Sequence, residues 1–458
     1  MLPDSLKPRL PASIPLVLVG LLVAALLLGG GTRQGVASDH ILQWLALPAL
    51  LFGCWLLLTR PRRSRWGWPL ALLAGALALP LLQLVPLPPA LWTRLPDREL
   101  VLEGFVAAGV PPPWMPLSMA PEATLRAWLF LMAPAAVFLL GLQLDLRGRR
   151  LASLVVIVFA VLAVCVGLAQ LMGGPQSPLY LHEITNRNSS VGFFANRNHH
   201  AALLYAVLPL AAAWAIGMVR DHRPGMPVAV ALMLLVGVVL ILGLGMTLSR
   251  SGLALAMLAT AGVLAMALVG ARGAQRARST RVVLVMAVVG IVTVVQFGLW
   301  GIASRLDRDP FEDYRFTIAA QVVEVAGRHA PVGAGVGAFV PVYASHEDRA
   351  LMLRAWVNRA HNDWLELWLE AGVAGVGLAL GMLAWWLVAG LRAWRRGPGG
   401  RADPAGALDR ALAQAASLAG LLLLLHSLTD YPLRTAALAC LFAWFAALML
   451  PPARQRFT

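Results

Sequence analysis

Stretches of mostly apolar residues, each near the length needed to cross a bilayer, alternate with polar segments along the chain. A membrane-spanning helix takes about 20 such residues. Twelve stretches meet that length, at 13–30, 41–58, 67–87, 125–142, 151–172, 198–219, 228–248, 252–270, 282–301, 371–391, 409–426 and 434–450. Leu, Ala, Val and Gly fill them, without the apolar–polar alternation of a membrane β-strand. The pattern predicts an all-α polytopic integral membrane protein, with about 12 transmembrane helices in a single membrane domain over 1–458. The first stretch exceeds the apolar region of about 7–15 residues in a cleavable signal peptide and reads as a retained span.

Three polar segments are longer than a turn requires. Segment 88–124 holds Pro88, Pro89, Pro96 and the run Pro111-Pro112-Pro113, which predicts extended or turn-rich chain. Segment 173–197 reads as an Asn-rich loop. Segment 302–360 has 59 residues, well beyond the roughly 12–15 at which structureless connections become uncommon. Within it Phe311, Tyr314, Ile318, Val322 and Val325 recur at three- and four-residue intervals, one face of an amphipathic helix. That helix, between spans nine and ten, is expected to lie flat on the bundle like a lid. Pro331-Val332-Gly333-Ala334-Gly335-Val336-Gly337 ends it. With no strand before it, this GxGxG is expected to be a flexible turn rather than a phosphate loop.

Composition agrees with a membrane protein. Hydrophobic residues make up 59% of the chain, charged residues 13%, and mean hydropathy is +0.74. A soluble domain carries about 25% charged residues. Disordered, collagen-like and disulfide-scaffold classes are excluded, and a large soluble enzyme does not fit. Cys54, Cys165 and Cys440 all fall inside predicted spans, so neither a disulfide framework nor a CxxC metal pair is present.

The net charge of +15 could signal nucleic acid, an anionic surface or an asymmetric topology. Its distribution decides. With the N-terminus cytoplasmic, the inner segments carry 22 of the 37 cations and five of the 22 acids. The inside then nets +17 and the outside −2, as the positive-inside rule requires. Both termini are expected in the cytoplasm and the three long loops on the opposite, outer side. The charge is topological, and no nucleic-acid partner is expected.

Polar groups cluster at the outer ends of the spans, where function is expected to sit. Arg187 lies in Thr185-Asn186-Arg187-Asn188-Ser189, and Asn196-Arg197-Asn198-His199-His200 opens the sixth span. Arg250 occupies the hairpin Thr247-Leu248-Ser249-Arg250-Ser251-Gly252. His361 precedes the tenth span, and His426-Ser427-Leu428-Thr429-Asp430-Tyr431-Pro432-Leu433-Arg434 fills the last outer turn. Singly, the arginines could snorkel, and Asn196, Asn358 and Asp430 could cap helices. Together they mean more, because topology requires no cations on this side. Guanidinium forks bind phosphate in a bidentate way, so a ring of them suggests a lipid-linked phosphate or diphosphate. His361 supplies a group able to accept a proton from a hydroxyl near neutral pH. Asp363, Glu366 and Glu370 are expected to orient His361, bind arginines or cap the helix. His199, His200, His346, His361 and His426 all lie outside without HExxH or a similar chelate spacing, so no metal is expected.

In their order along the chain these motifs resemble the O-antigen ligase/polymerase superfamily. The resemblance rests on Phe194-Ala195-Asn196-Arg197-Asn198-His199, Ser249-Arg250-Ser251-Gly252 and the Arg315-containing loop helix with its 331–337 turn. It rests also on Ala360-His361-Asn362-Asp363-Trp364-Leu365-Glu366 and His426-Ser427-Leu428-Thr429-Asp430-Tyr431-Pro432-Leu433. It covers roughly 115–450, and 1–110 match only as hydrophobic spans. It implies a bacterial inner-membrane glycosyltransferase acting on the periplasmic face without metal or cofactor. The donor would be an undecaprenyl-diphosphate-linked glycan, transferred with inversion to a glycan or lipid A-core acceptor. By the same resemblance His361 is the general base, and Arg250 and Arg315 hold the diphosphate. Arg197 stands where many members carry another residue. Arg187, Asn198 and His199 complete the expected substrate-binding set.

With no soluble domain after the last span, a surface-polysaccharide polymerase or ligase is expected rather than a protein-targeting transferase. Twelve spans also suit a transporter or flippase of lipid-linked glycan. Transporters bury charge at the midplane and often repeat their halves; here charge gathers at the rim and no repeat is visible. The topology is testable. A phosphatase reporter that folds only outside the cytoplasm should be active when fused within 302–360 and inactive within 271–281, and the opposite pattern would invert the assignment.

Overall fold

Within a bilayer the backbone has no water to bond, so apolar stretches close on themselves as helices. The computed structural model describes residues 13–33, 35, 37–60, 64–183, 185–221, 226–269, 310–347, 356–395 and 406–452. The first helices are α1 (Ser13–Leu28), α2 (Ala37–Thr59), α3 (Gly67–Gln83), α4 (Pro89–Trp92) and α5 (Glu99–Ala107). They continue with α6 (Pro121–Phe130), α7 (Met132–Gln143), α8 (Leu146–Met172), α9 (Arg197–Asp221), α10 (Met226–Thr247) and α11 (Arg250–Leu268). The remainder are α12 (Pro310–Arg328), α13 (Phe339–His346), α14 (Asp363–Trp394), α15 (Gly406–His426) and α16 (Ala436–Leu448). Among the described residues nine helical stretches are long and apolar enough to cross a membrane, and α1 and α16 are shorter apolar helices. These cover every predicted span except 282–301, which lies outside the described residues.

Two spans differ in detail from their sequence reading. The fourth is broken at Leu131 into α6 and α7, because Pro134 has no N–H to give the Phe130 carbonyl. The tenth begins at Asp363, eight residues before its apolar stretch, and carries a non-helical residue at Gly372.

Helix α9 is the axis of the bundle, buried along nearly its whole length and packed against α15, α10 and α11. Small residues permit the close approach that membrane helices rely on. A Cβ at Gly217 would sit 2.6 Å from Leu408 Cα, and one at Gly420 would fall 1.8 Å from the Trp386 ring. The outward faces keep large apolar side chains exposed, among them Leu51, Val158, Leu162, Leu235 and Leu258, as a lipid-facing surface does.

The two ends of the bundle differ in chemistry. At one, Arg150 pairs with Asp409, Arg149 Nη1 donates to the Leu450 carbonyl at 2.6 Å, and Arg220 Nη2 donates to the carbonyls of Met266 and Val269. At the other, the starts of α9, α11 and α14 meet the end of α15. The arginine-rich predicted inner ends therefore share one side, and the outer polar motifs share the opposite one.

In segment 88–124, α5 forms between Pro96 and Pro111, where no proline interrupts. Strands β1 (Pro86–Leu87) and β2 (Met115–Pro116) pair antiparallel at its base. Helix α12 stands where the periodicity places it. Ile318, Val322 and Val325 are buried in a second core with Phe339, Val342, Tyr343, Ala360 and Leu369, while the Phe311 side chain lies outside the described residues.

Segment 331–337 is a turn, but not a flexible one. Ala334 N–H donates to the Leu369 carbonyl at 2.9 Å, Gly335 N–H to the Glu370 carbonyl at 2.8 Å, and Val336 N–H to Gln83 Oε1 at 2.9 Å. Val373 N–H returns a bond to the Pro331 carbonyl at 2.9 Å, across the break in α14. These N–H groups are consumed by the protein and cannot cradle a phosphate. Gly372 has φ 56° and ψ −149°, a region open essentially to glycine, and a Cβ there would lie 2.1 Å from the Pro331 carbonyl oxygen. Gly372→Ala should therefore destabilise the protein by about 2 kcal/mol or more. Thermal unfolding in detergent would read this as a lower Tm, and an unchanged Tm would mean the turn is not seated as described.

Candidate functional site

The segment before α14 and the turn after α15 are zipped together. Asn362 caps α14, accepting from the N–H groups of Trp364 and Leu365, and its Nδ2 donates to the Leu428 carbonyl at 3.0 Å. Asp363 N–H donates to the Ser427 carbonyl at 2.9 Å, and Ser427 Oγ donates to Asp363 Oδ2 at 2.7 Å. This pairing sets His361 over Asp430. His361 Nδ1 lies 3.1 Å from Asp430 Oδ1, with the imidazole 23% exposed and the carboxylate fully buried. His361 has φ 49°, an uncommon conformation for a non-glycine residue and one that recurs at functional positions.

Asp430 is fully engaged. Its Oδ2 accepts from Asn198 Nδ2 at 2.7 Å, and Asn198 Oδ1 accepts from Ser249 Oγ at 2.8 Å. Burial pushes the carboxyl pKa up, but the hydrogen bond and charge of His361, with the charges of His199 and Arg315, more than offset it. The group is held below the usual carboxylate range and stays ionised. An ionised Asp430 accepts the Nδ1 hydrogen of His361, which in the neutral tautomer places the lone pair on Nε2.

Around the pair stand aromatic and polar neighbours. Tyr431 packs edge-on to both His361 and His199, with ring centroids 5.0 and 4.9 Å apart. Its hydroxyl bonds to Asn196 and Asn358. His426 links Tyr205 Oη at 2.9 Å to Ser251 Oγ at 3.1 Å. His199 is completely buried, and neither of its ring nitrogens has a hydrogen-bond partner.

The expected site residues thus separate. His361, Asn198 and His199 meet around Asp430. Arg315 joins them from α12, its Nη1 donating to the Thr429 carbonyl at 3.2 Å. Arg250 is exposed at the first residue of α11, between Ser249, which bonds Asn198, and Ser251, which bonds His426. Arg197 begins α9, next to Asn198, and its N–H donates to Asn186 Oδ1 at 3.0 Å. Arg187 is different. Its guanidinium braces its own loop, donating to the carbonyls of Pro175 at 3.2 Å and Glu183 at 3.4 Å.

Reading Asp430 as a simple helix cap misses its part, because its partners lie 69 and 232 residues away. An ionic cluster beneath the site is likewise not visible in spacing alone. Arg434 Nη1 meets Glu370 Oε2 at 2.8 Å and Glu366 Oε1 at 3.5 Å, and Arg359 Nη1 donates to Glu366 Oε1 at 2.7 Å. Glu366 Oε2 accepts from Ala360 N–H at 3.0 Å. Of the three roles open to Asp363, Glu366 and Glu370, the glutamates take arginine binding. Asp430, not these acids, orients His361.

Beside this cluster lies a mostly apolar cavity of about 350 Å³, lined by Leu72, Leu79, Phe130 and Leu378, with Arg359 and Arg434 in its wall. Among the described residues, the three-ligand group of metal-binding type is Asp97, His329 and His346, not the residues around His361.

A multi-pass helical membrane protein with a histidine–carboxylate pair and arginines at one end of its bundle is the class this arrangement defines. Residues 235–380 match the family described as O-Antigen ligase, which supports the chain's resemblance to the O-antigen ligase/polymerase superfamily. The match takes in Arg250, Arg315 and His361 and stops before Asp430. No curated protein matches the chain.

The ionic cluster can be tested directly. Arg434→Met leaves Glu366 and Glu370 buried without their shared cation, a loss of about 3–5 kcal/mol. Pairing it with Glu370→Gln should recover part of the lost Tm, and a single variant as stable as the wild type would show that the cluster carries no such weight.

Proposed function

We propose that the protein transfers or polymerises undecaprenyl-diphosphate-linked oligosaccharide at the periplasmic face of a bacterial inner membrane. The observation that carries this reading is the His361–Asp430 pair. Asp430 fixes the tautomer of His361 and favours the imidazolium that forms during reaction, as the carboxylate does in a Ser-His-Asp triad. Nε2 of His361 takes the proton of an acceptor sugar hydroxyl as that oxygen attacks the anomeric carbon from the face opposite the diphosphate. The anomeric C–O bond breaks, its electron pair leaves with the undecaprenyl diphosphate, and the configuration inverts.

The leaving group gains charge in this step and needs fixed positive partners rather than a strong acid. Arg315 and Arg250 suit that part, and the N-terminus of α11 adds its partial positive charge beside Arg250. His199, completely buried against Tyr431, backs the site rather than touching the glycan, and Asn198 holds Asp430 in place. Arg197 is the next cation along α9. Arg187, tied to its loop carbonyls, is assigned to shaping the site's rim rather than to direct contact. The apolar cavity, whose wall includes Asp363 and Leu433 from the segments framing His361, has the lining that a polyprenyl chain requires.

The experiment is reconstitution in liposomes with a lipid-linked repeat unit, with and without lipid A-core. His361→Ala should lower transfer by about 10²–10⁴-fold, with elution profile and helicity unchanged. Asp430→Asn should mainly lower kcat, since it disturbs orientation rather than acceptor contact. Growth of the glycan without lipid A-core identifies a polymerase, and attachment to the core identifies a ligase. Wild-type transfer by His361→Ala would rule out the proposed base.

A further inference from the structure

Asp97, His329 and His346 come from three separate segments and converge on one point. Asp97 precedes α5 in the 88–124 segment, in the left-handed region at φ 59°, which aspartate tolerates. His329 follows the last turn of α12, and His346 is the last residue of α13. Asp97 Oδ2 lies 3.3 Å from His329 Nε2 and 2.9 Å from His346 Nε2, and the three ligand atoms are all within 4.8 Å of one another. The two imidazoles stand edge to face, with centroids 5.7 Å apart. His329 is 2% exposed, and its Nε2 has no hydrogen-bond partner.

Hydrogen bonding fixes the proton on His346. Ser345 Oγ donates its only hydrogen to the Val342 carbonyl at 2.8 Å. His346 Nδ1 lies 2.9 Å from that carbonyl and 3.0 Å from Ser345 Oγ, both acceptors toward it, so Nδ1 carries the hydrogen. In the neutral ring Nε2 is then a bare lone pair facing a carboxylate oxygen at 2.9 Å. Two lone pairs do not approach in that way without a positive charge between them. One proton could bridge His346 and Asp97, but it would leave His329 Nε2 buried and unsatisfied. One divalent cation serves all three atoms.

We propose that Asp97, His329 and His346 bind a divalent transition metal of the zinc type, which fastens the 88–124 segment to the 302–360 segment. Two imidazoles and one carboxylate, with water as the fourth ligand, form a donor set that zinc accepts. Ligand atoms about 2.0–2.1 Å from a tetrahedral zinc lie about 3.3 Å from one another; His329 Nε2 stands at that distance from Asp97 Oδ2, and His346 Nε2 a few tenths of an ångström nearer, at 2.9 Å. The bond from His346 Nδ1 to a backbone carbonyl is the outer support that metal-bound histidines usually have. The site shares no residue with the His361–Asp430 pair, so the ion is a fastener and takes no part in the transfer proposed for that pair.

The test uses full-length protein carrying no histidine tag, purified in detergent, incubated with Zn²⁺ and desalted. Elemental analysis should find about one zinc per chain. His346→Gln removes the more exposed of the two histidine ligands, and Asp97→Asn keeps its side-chain shape; each should weaken apparent zinc affinity about ten-fold or more. Zinc should raise the Tm of the wild type, because it binds only the folded chain, and leave the two variants unchanged. Co²⁺ in place of zinc should give the visible bands of a four-coordinate site, absent from both variants. Zinc content equal in wild type and variants, or no zinc and no Tm shift in the wild type, would overturn the proposal.

Discussion

Three carboxylates on one helix, Asp363, Glu366 and Glu370, sit where charge is costly, and the His361 end of the bundle is arranged around their neutralisation. Glu366 and Glu370 are fully buried, so each needs a cation and hydrogen bonds to remain charged there. Arg434 reaches both, and Arg359 reaches Glu366. Meeting that demand docks the turn after α15 on the first turns of α14, which is what brings Asp430 beneath His361. Glu370 extends the same arrangement. Its Oε1 accepts from Phe339 N–H, and its carbonyl accepts from Gly335 and from Gln83 Nε2. One helix face thereby fixes the 331–337 turn, the end of α3 and the turn after α15 together.

The site is layered by exposure. Asp430 is sealed from solvent and held by two side-chain hydrogen bonds, His361 is partly open, and Arg250 and Arg315 stand outermost. A carboxylate in that position can orient a histidine without competing for substrate. The aromatic ring of Tyr431 fills the space between His361 and His199, limiting how either imidazole can turn. Geometry of this kind belongs to groups that must keep one orientation while a ligand comes and goes.

The helices were legible because the bilayer leaves few alternatives: a long apolar stretch has to be a helix, whatever its neighbours. The buried face of α12 was legible too, since Ile318, Val322 and Val325 repeat at helical intervals. Long-range partners were not. Asp430 has the local signature of a cap, and only the approach of α14 and α9 turns it into the partner of His361 and Asn198. The glycines of 331–337 suggest looseness in isolation, yet their positive φ values let the chain press against Ser118, Ala123 and Glu370. Asp97, His329 and His346 are 232 and 17 residues apart in turn, beyond any chelate spacing that could be read along the chain. Arg187 reads along the chain like the other arginines near the site, and only the fold shows its guanidinium bonded to the carbonyls of its own loop.

The layering has a consequence for how the medium acts on the site. Dissolved ions screen charge over about 8 Å at physiological ionic strength, but only where they can approach. They reach Arg250 at the start of α11 and the exposed edge where Arg315 bonds Thr429; they do not reach the carboxylate of Asp430. On the proposed function, capture of the charged lipid carrier belongs to the screened layer and proton transfer to the shielded one. Ionic strength would then act on how often the carrier is held and leave the readiness of the base untouched.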